Sequence, residues 1–539
     1  MSSFHLSTGY FSDEVNFEPL SIKEAQRRLP DLIIPDLEQS LKKFLISIQP
    51  YTTHHEFNAI KSIVDRFLSS SNGIGPVVQE ELEKRKQRLS GVTSWLSEWW
   101  NKMAYLTYRE PTVINVSYFY QFKIPSIDFT LSERAASYVL LSFQYRKMIK
   151  DDFLLPEFLP SKNGSGTQLC AASYKYLFNT CRYPAFPDQD GIRMYDLEEN
   201  SFITIVCRNL FFSLNLVNQE TGSLIPFSTL VRQIDEIQRI SEVMVEENGE
   251  APCVGRLCCQ NRDVWFEDRI LLENEHEMNA TSLRTIESSI LLLCLDVDST
   301  NNDCTTMNSG DMNSRIQSLN DRRNGKEDEI ATIFLHNFGQ NRYCDKTINL
   351  VVGSFQKQHY CGLAMEHSMM DGMPVIRYAG FLTDPENHSK LFEQSNGLLI
   401  EAPFYEDDQT AHFSIHHLPF CFNKSKLTAP SSSEISLLLT SPLEISYERA
   451  VRKTDELFLT HQTSFLHFPS FGSNFIKSHL KMSPDGLFQM CIQLASYRVH
   501  GHVKTIYEPV QMRRFLHGRT ETARGVTNES IAWFSTLFF

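Results

Sequence analysis

Two short apolar runs, Thr347 to Val352 and Cys361 to Met365, read as paired strands, and the second leads straight into Glu366-His367-Ser368-Met369-Met370-Asp371-Gly372. A sheet edge that ends in a histidine is a rigid mount for a catalytic group. Histidine, with an unperturbed pKa near ~6.5, both takes and returns a proton at neutral pH. Asp371, four residues on, orients the ring or holds the local turn, and Gly372 permits a tight bend. In a chain with 17 histidines this spacing alone does not separate a catalytic pair from a structural one. The neighbouring motifs must decide.

At 539 residues the chain exceeds what one hydrophobic core usually supports, so two or more domains are expected. Its 38 phenylalanines imply large buried apolar faces or an apolar channel. A formal net charge of -14 argues against nucleic-acid or anionic-membrane partners, so an anionic ligand requires a local basic pocket. The 12 cysteines are scattered, and Cys253 with Cys258-Cys259 lacks a second spaced pair, so no metal site is expected and the thiols read as reduced. No run approaches the ~18 apolar residues of a membrane span, which predicts no transmembrane segment. The first 20 residues carry Asp13, Glu14 and Glu18 and no Lys or Arg, a poor match to a transit peptide; the last four, Thr-Leu-Phe-Phe, are not the peroxisomal Ser-Lys-Leu.

Leu29 to Pro35 is expected to be extended, followed by an amphipathic helix through Leu37, Leu41, Phe44, Leu45 and Ile48. Further helices are predicted over about 57–68, 77–88 and 131–150, and Trp95 to Tyr105 reads as a core helix. Val113 to Tyr118 reads as a strand, Ile203–Cys207 and Leu210–Val217 as a hairpin across Arg208-Asn209, and Ile290 to Leu295 as a further strand. Residues 298–328, rich in Asp, Asn, Ser and Thr, are expected to form a mobile surface loop. Ser483-Pro484-Asp485 opens a helix running to Gly501, with Ser as N-cap and Asp where the helix dipole favours negative charge. Lys477 and Lys481 lie just upstream, and on spacing alone a solvated face is their simplest reading.

Taken in order, several segments resemble the carnitine/choline acyltransferases. They are Leu29-Pro30 with its following helix, Trp95-Leu96-Ser97-Glu98-Trp99-Trp100, Cys181-Arg182-Tyr183-Pro184, Asn261-Arg262-Asp263-Val264-Trp265 and Asn341-Arg342-Tyr343-Cys344-Asp345-Lys346. Glu366 to Gly372, Ser483-Pro484-Asp485, Tyr507-Glu508 and Gly518-Arg519-Thr520-Glu521-Thr522 complete the set, which spans about residues 25 to 535. The resemblance implies an α/β fold of two chloramphenicol-acetyltransferase-like domains with an active-site tunnel at their interface. It implies acyl transfer between coenzyme A and the carnitine hydroxyl, with His367 as general base and Asp371 as structural support first and catalytic group second.

By the same resemblance Lys477, Lys481 and Asp485 bind coenzyme A, and Tyr507 and Thr520 bind the carnitine carboxylate. The spacing around the lysines departs from the family's usual one. No permanent cofactor is implied; coenzyme A or acyl-CoA is the co-substrate, carnitine the acceptor, and the protein a monomer in a mitochondrion or peroxisome, with the cytoplasm as the other compartment. Short or medium acyl chains are expected, some segments looking like carnitine acetyltransferase and others like carnitine octanoyltransferase.

The corresponding domain reading is 1–24 as an N-terminal extension and 25–100 as helices packing with the C-terminal domain. It then gives 101–405 to the catalytic histidine and 406–539 to coenzyme A and carnitine. Family members continue past the equivalent of Phe539, so this last domain is expected to be incomplete. The competing readings are a truncated, inactive relative that binds coenzyme A, and a choline acetyltransferase.

Overall fold

The computed structural model describes residues 21–69, 71–124, 128–159, 166–185, 187, 189–297, 326–355, 358–395, 415–422 and 441–538. They form a mixed α/β structure that divides into two compact units. The first comprises Trp99–Leu155 and Ser173–Phe465, and the second Lys23–Glu98, Pro156–Ala172 and Leu466–Phe539.

The first unit is built on a seven-stranded sheet. Its strands are β1 (Tyr118–Gln121), β2 (Phe202–Cys207), β3 (Leu210–Asn215), β4 (Leu292–Asp296), β5 (Ile348–Phe355), β6 (Gln358–Met365) and β7 (Ile415–Leu418). The spatial order is β1-β6-β5-β4-β2-β3-β7. β4 lies parallel to both β2 and β5, while every other pairing is antiparallel. All five residues of β4 are buried, as expected for a central parallel strand with an uninterrupted apolar run. The helix Leu131–Lys150 begins in a capping box, Thr130 with Glu133, and packs beside the helix Phe227–Asn248.

The β2–β3 hairpin explains an unusual turn. Arg208 and Asn209 both have positive φ, +50° and +62°, the signature of a type I′ turn, for which Asn-Gly is the commoner pair. Here Asn209 does more than bend. Its N–H donates to Asn341 Oδ1 at 2.7 Å and its own Oδ1 accepts from Asn341 N at 2.9 Å, fastening the turn to the loop before β5.

Two expectations are corrected. Val113 to Tyr118 is not a strand: Val116 N and Ser117 N both return to Thr112 O at 2.9 Å, closing a turn with Ile114 at φ +72°, so those groups are not available to a ladder. β1 begins only at Tyr118. Nor is Trp95–Tyr105 one core helix. An α-helix over Ser97–Asn101 passes into a π-helical turn over Lys102–Leu106, with Trp99 38% and Met103 74% exposed while Tyr105 is buried. The wider turn shifts the register by one residue, which separates Tyr105 from its exposed neighbours. Of the expected loop 298–328, residues 298–325 lie outside the described residues, and 326–328 open the helix Lys326–Leu335.

In the second unit the helices Leu37–Ile48, His54–Leu68, Gly75–Leu89, Pro484–His500 and Asn528–Phe538 accompany two short ribbons, Phe158–Leu159 with Thr167–Gln168 and Glu508–Gln511 with Thr520–Ala523. Arg513 ties two of its segments together: buried, it pairs with Glu157 and donates through Nε to Cys170 O at 2.9 Å. The third segment joins through Gln26, whose Oε1 accepts from Ala171 N at 2.9 Å, and through Pro30 O, which accepts from Leu516 N at 2.8 Å.

Asn209→Gly tests the hairpin. Turn propensity alone predicts a gain, but glycine, which keeps the backbone N–H bond to Asn341 Oδ1, leaves Asn341 N without its side-chain acceptor, and urea denaturation is expected to show a net destabilisation of about 1 kcal/mol.

Candidate active site

His367 stands two residues beyond β6, half-buried, with the Tyr105 ring at 5.1 Å and the Tyr118 ring edge-on at 4.8 Å. The antiparallel pairing of β1 with β6 places Tyr118 opposite Met365. Tyr118 and Tyr120, two apart on β1 and so on one face, then reach the turn beyond β6. Tyr118 Oη donates to Met370 O at 3.0 Å and Tyr120 Oη to Gly372 O at 3.1 Å. Gly372 is explained by this contact rather than by a bend: a Cβ there would lie 2.8 Å from Tyr120 Oη. Asp371 occupies the N-cap position of the helix Gly372–Thr383, and its side chain does not cap that helix.

The residue before the histidine carries the support. The Glu366 carboxylate accepts from Ser368 N at 3.1 Å, from Ser368 Oγ at 2.6 Å and from Arg182 Nη1 at 3.3 Å. Arg182 in turn donates to Ser368 Oγ at 2.8 Å, to Tyr105 O at 3.0 Å and, through Nε, to Asp190 Oδ2 at 2.7 Å. Asp190 also receives Arg262 Nε at 2.6 Å and Arg109 Nη1 at 2.8 Å. Arg262 forks onto Asp345 at 2.7 and 3.0 Å, and Trp265 Nε1 donates to Asp345 Oδ2 at 2.8 Å. Three guanidiniums therefore meet three buried carboxylates, with Arg182, Arg262 and Asp345 completely inaccessible. Arg109 has a further partner in half-exposed Asp263.

Burial acts on the two aspartates alike and their partners act differently. For Asp190 burial pushes the carboxyl up, but Arg262 and Arg182 overcome it and hold it below the usual range. For Asp345 burial wins over Arg262 and the carboxyl is raised. Lys346, adjacent and wholly buried, donates to two backbone carbonyls, Glu287 O at 2.7 Å and Ser289 O at 2.5 Å. Burial lowers its pKa to about 8, with Cys181 and Glu287 resisting.

The remaining candidate residues all belong to the second unit. Lys477 lies in a π-helical turn, Ile476–Leu480, and Lys481 closes it in the left-handed conformation, φ +55°; both are exposed. Ser483 caps the helix Pro484–His500 by accepting from Gly486 N at 3.2 Å, and Asp485 sits in its first turn. Asp485 is brought beside Glu508, whose carboxyl is raised above its usual range by the hydrogen bond between them. Tyr507 immediately precedes Glu508 and is exposed. Thr520 pairs with Gln511 at the far end of the same ribbon, four residues along from Tyr507 or about 13 Å at ~3.3 Å per residue. Asp485 and Tyr507 thus share one end of this ribbon and Thr520 marks the other.

Sequence reasoning quoted Arg182, Arg262, Asp345 and Glu366 within motifs but gave none of them a role. The available signal is the motifs themselves, which set charged residues of opposite sign beside aromatic ones, as in Arg262-Asp263 with Trp265 and Tyr343 with Asp345.

A histidine able to shuttle protons, fixed at the end of a strand between two tyrosines, is equipped for acyl transfer to a hydroxyl. Over residues 32–538 the chain matches the choline/carnitine O-acyltransferase family, and it belongs to that family. Its relatives include human carnitine O-acetyltransferase, 27% identical over 538 residues covering 96% of this chain and 74% of that one. Mitochondrial carnitine O-acetyltransferase of Saccharomyces cerevisiae is 27% identical over 98% of this chain and 70% of its own length. Bovine peroxisomal carnitine O-octanoyltransferase is 26% identical over 95% and 74%. These relatives are acyltransferases.

Asp190→Asn is expected to cost about 3–5 kcal/mol, because it leaves Arg182 and Arg262 buried with too little opposing charge, whereas Asp263→Asn should cost under about 1 kcal/mol. Thermal and urea unfolding of both variants measure the contrast. Lys346 has a separate pH signature. Its folded pKa lies below its unfolded value of ~10.4, so between about pH 8 and 10.4 the unfolded chain holds more protons and stability rises with pH. Stability of the wild type relative to Lys346→Met should therefore increase across that window and stay level below pH 8.

Proposed function

We propose that the protein is a carnitine O-acyltransferase, moving a short- or medium-chain acyl group reversibly between coenzyme A and the carnitine hydroxyl. The observation that carries this reading is the placement of His367 at the end of β6, between Tyr105 and Tyr118, in a chain that belongs to the choline/carnitine family along nearly its whole length.

In this reading His367 takes the proton from the carnitine hydroxyl as that oxygen attacks the thioester carbonyl carbon. The C=O electron pair moves to oxygen, giving a tetrahedral oxyanion; its collapse expels the coenzyme A thiolate, which receives the proton from His367. One group thereby serves both directions. Tyr105 and Tyr118 hold the ring, and Arg182 with Glu366 holds the turn from which the ring projects. Asp371 supports the same turn. Lys477 and Lys481 supply local cations for coenzyme A phosphates in a chain of net charge -14, with Asp485 toward the pantetheine or adenine side. Tyr507 and Thr520 bind the carnitine carboxylate. The two chloramphenicol-acetyltransferase-like domains that the resemblance implies belong to this reading, as does a mitochondrial or peroxisomal compartment.

The test is thiol release from acetyl-, octanoyl- and palmitoyl-CoA with carnitine, with choline and with neither. Carnitine-dependent release from the two shorter chains, reduced at least about 100-fold in His367→Ala, is expected. Choline-dependent release would replace carnitine by choline as the acceptor. Coenzyme A binding without release by the folded chain would make the protein a binder and overturn the proposal.

A further inference from the structure

The cysteines that the family reading does not use include three whose sulfurs converge. Cys258 ends the short helix Gly255–Cys258, Cys259 follows it, and Cys344 lies 85 residues further on, in the loop before β5. The Sγ atoms of all three lie within 4.8 Å of one another, Cys259 and Cys344 being 3.1 Å apart. Sequence spacing groups Cys253 with Cys258 and Cys259; only the fold joins Cys344 to the latter two.

The cluster is held from both sides. Cys344 N donates to Cys258 Sγ at 3.1 Å. Its flanking residues are fixed, Arg342 by two bonds to Asp296 at 3.0 and 2.9 Å and Asp345 by Arg262. Gly255 packs so closely that an added Cβ would collide with Gly339 O and Arg342 O, and this is what lets the helix bearing Cys258 approach the loop bearing Cys344. Cys258 and Cys259 are fully buried, and Val113, Phe338 and Phe458 close an apolar nest around Cys259 and Cys344.

We propose that Cys258, Cys259 and Cys344 form a binding site for a single monovalent copper ion. One ion about 2.3 Å from each of three sulfurs, in their plane, sets them about 4 Å apart, within the spread seen here. Zinc prefers a fourth ligand, and among the described residues no other Cys, His, Asp or Glu joins the group; the nearby Asp345 carboxylate is engaged by Arg262 and Trp265. A soft, all-sulfur, three-point donor set in dry surroundings matches Cu(I). On binding, three S–H bonds give way to three S–Cu bonds and three protons pass to solvent, with no change of oxidation state.

The experiment titrates the full, reduced chain anaerobically with Cu(I) against a chromogenic Cu(I) chelator. One equivalent should leave the chelator for the wild type and for Cys491→Ser, whose thiol is exposed and elsewhere. Cys259→Ser and Cys344→Ser should each lose more than the about 10- to 100-fold in affinity that removal of an outer-shell partner costs. As a measurement independent of any variant's folding, X-ray absorption of the copper-loaded wild type should show copper in the +1 state with three sulfur neighbours at about 2.3 Å. Failure of the wild type to take Cu(I), retention undiminished in folded Cys259→Ser and Cys344→Ser, nitrogen or oxygen neighbours in place of three sulfurs, or preference for Zn(II) at the same thiols would overturn the proposal.

Discussion

The interaction on which the first unit depends is the sharing of one buried carboxylate, Asp190, by three guanidiniums. Placing that many charges out of water is unfavourable unless each finds its counterpart with good geometry, and here the bonds run from 2.6 to 2.8 Å. The consequence is long-range. Arg109, Arg182, Arg262, Asp345 and Glu366 come from five separate stretches of chain, so none can settle until the others arrive. Glu366 is the last member of this network and the immediate neighbour of His367. The turn that carries the imidazole is thus tied to the ion pairs of the core as well as to the strand before it.

Local physics explains why much of the architecture was readable in advance. The amphipathic helix ending at Ile48, the helix over Leu131–Lys150, the Ser483 cap, the β2–β3 hairpin and the β5–β6 pair all follow from periodicity, capping and turn residues close together in sequence. What escaped has no local signature. The π-helical turn that repositions Tyr105 is a displacement of a single residue, and the turn at Thr112 consumes backbone donors in a segment whose β-branched residues suit a strand.

The same distinction applies at the site. His367 could be singled out because its motif is compact, whereas Arg182 acquires its role only when folding brings it to Glu366, 184 residues away. Cys344 is invisible to spacing rules for the same reason. In the second unit the positions of Lys477, Lys481, Asp485, Tyr507 and Thr520 were located by motif, but the ribbon register that sets Tyr507 and Thr520 at opposite ends is tertiary information.

The second unit is assembled from three separated stretches of chain, and this bears on how the protein is made. Lys23–Glu98 leaves the ribosome first, yet the Arg513 and Leu516 bonds that gather this unit lie beyond Phe465. At synthesis rates of about 5–20 residues per second, the early helices wait roughly 20–80 s for Arg513 and Leu516. Through that interval Leu29, which packs with Cys170 and Leu516 in the folded unit, lacks its partners. The nascent chain therefore carries its own interval of vulnerability, during which a chaperone has something to hold.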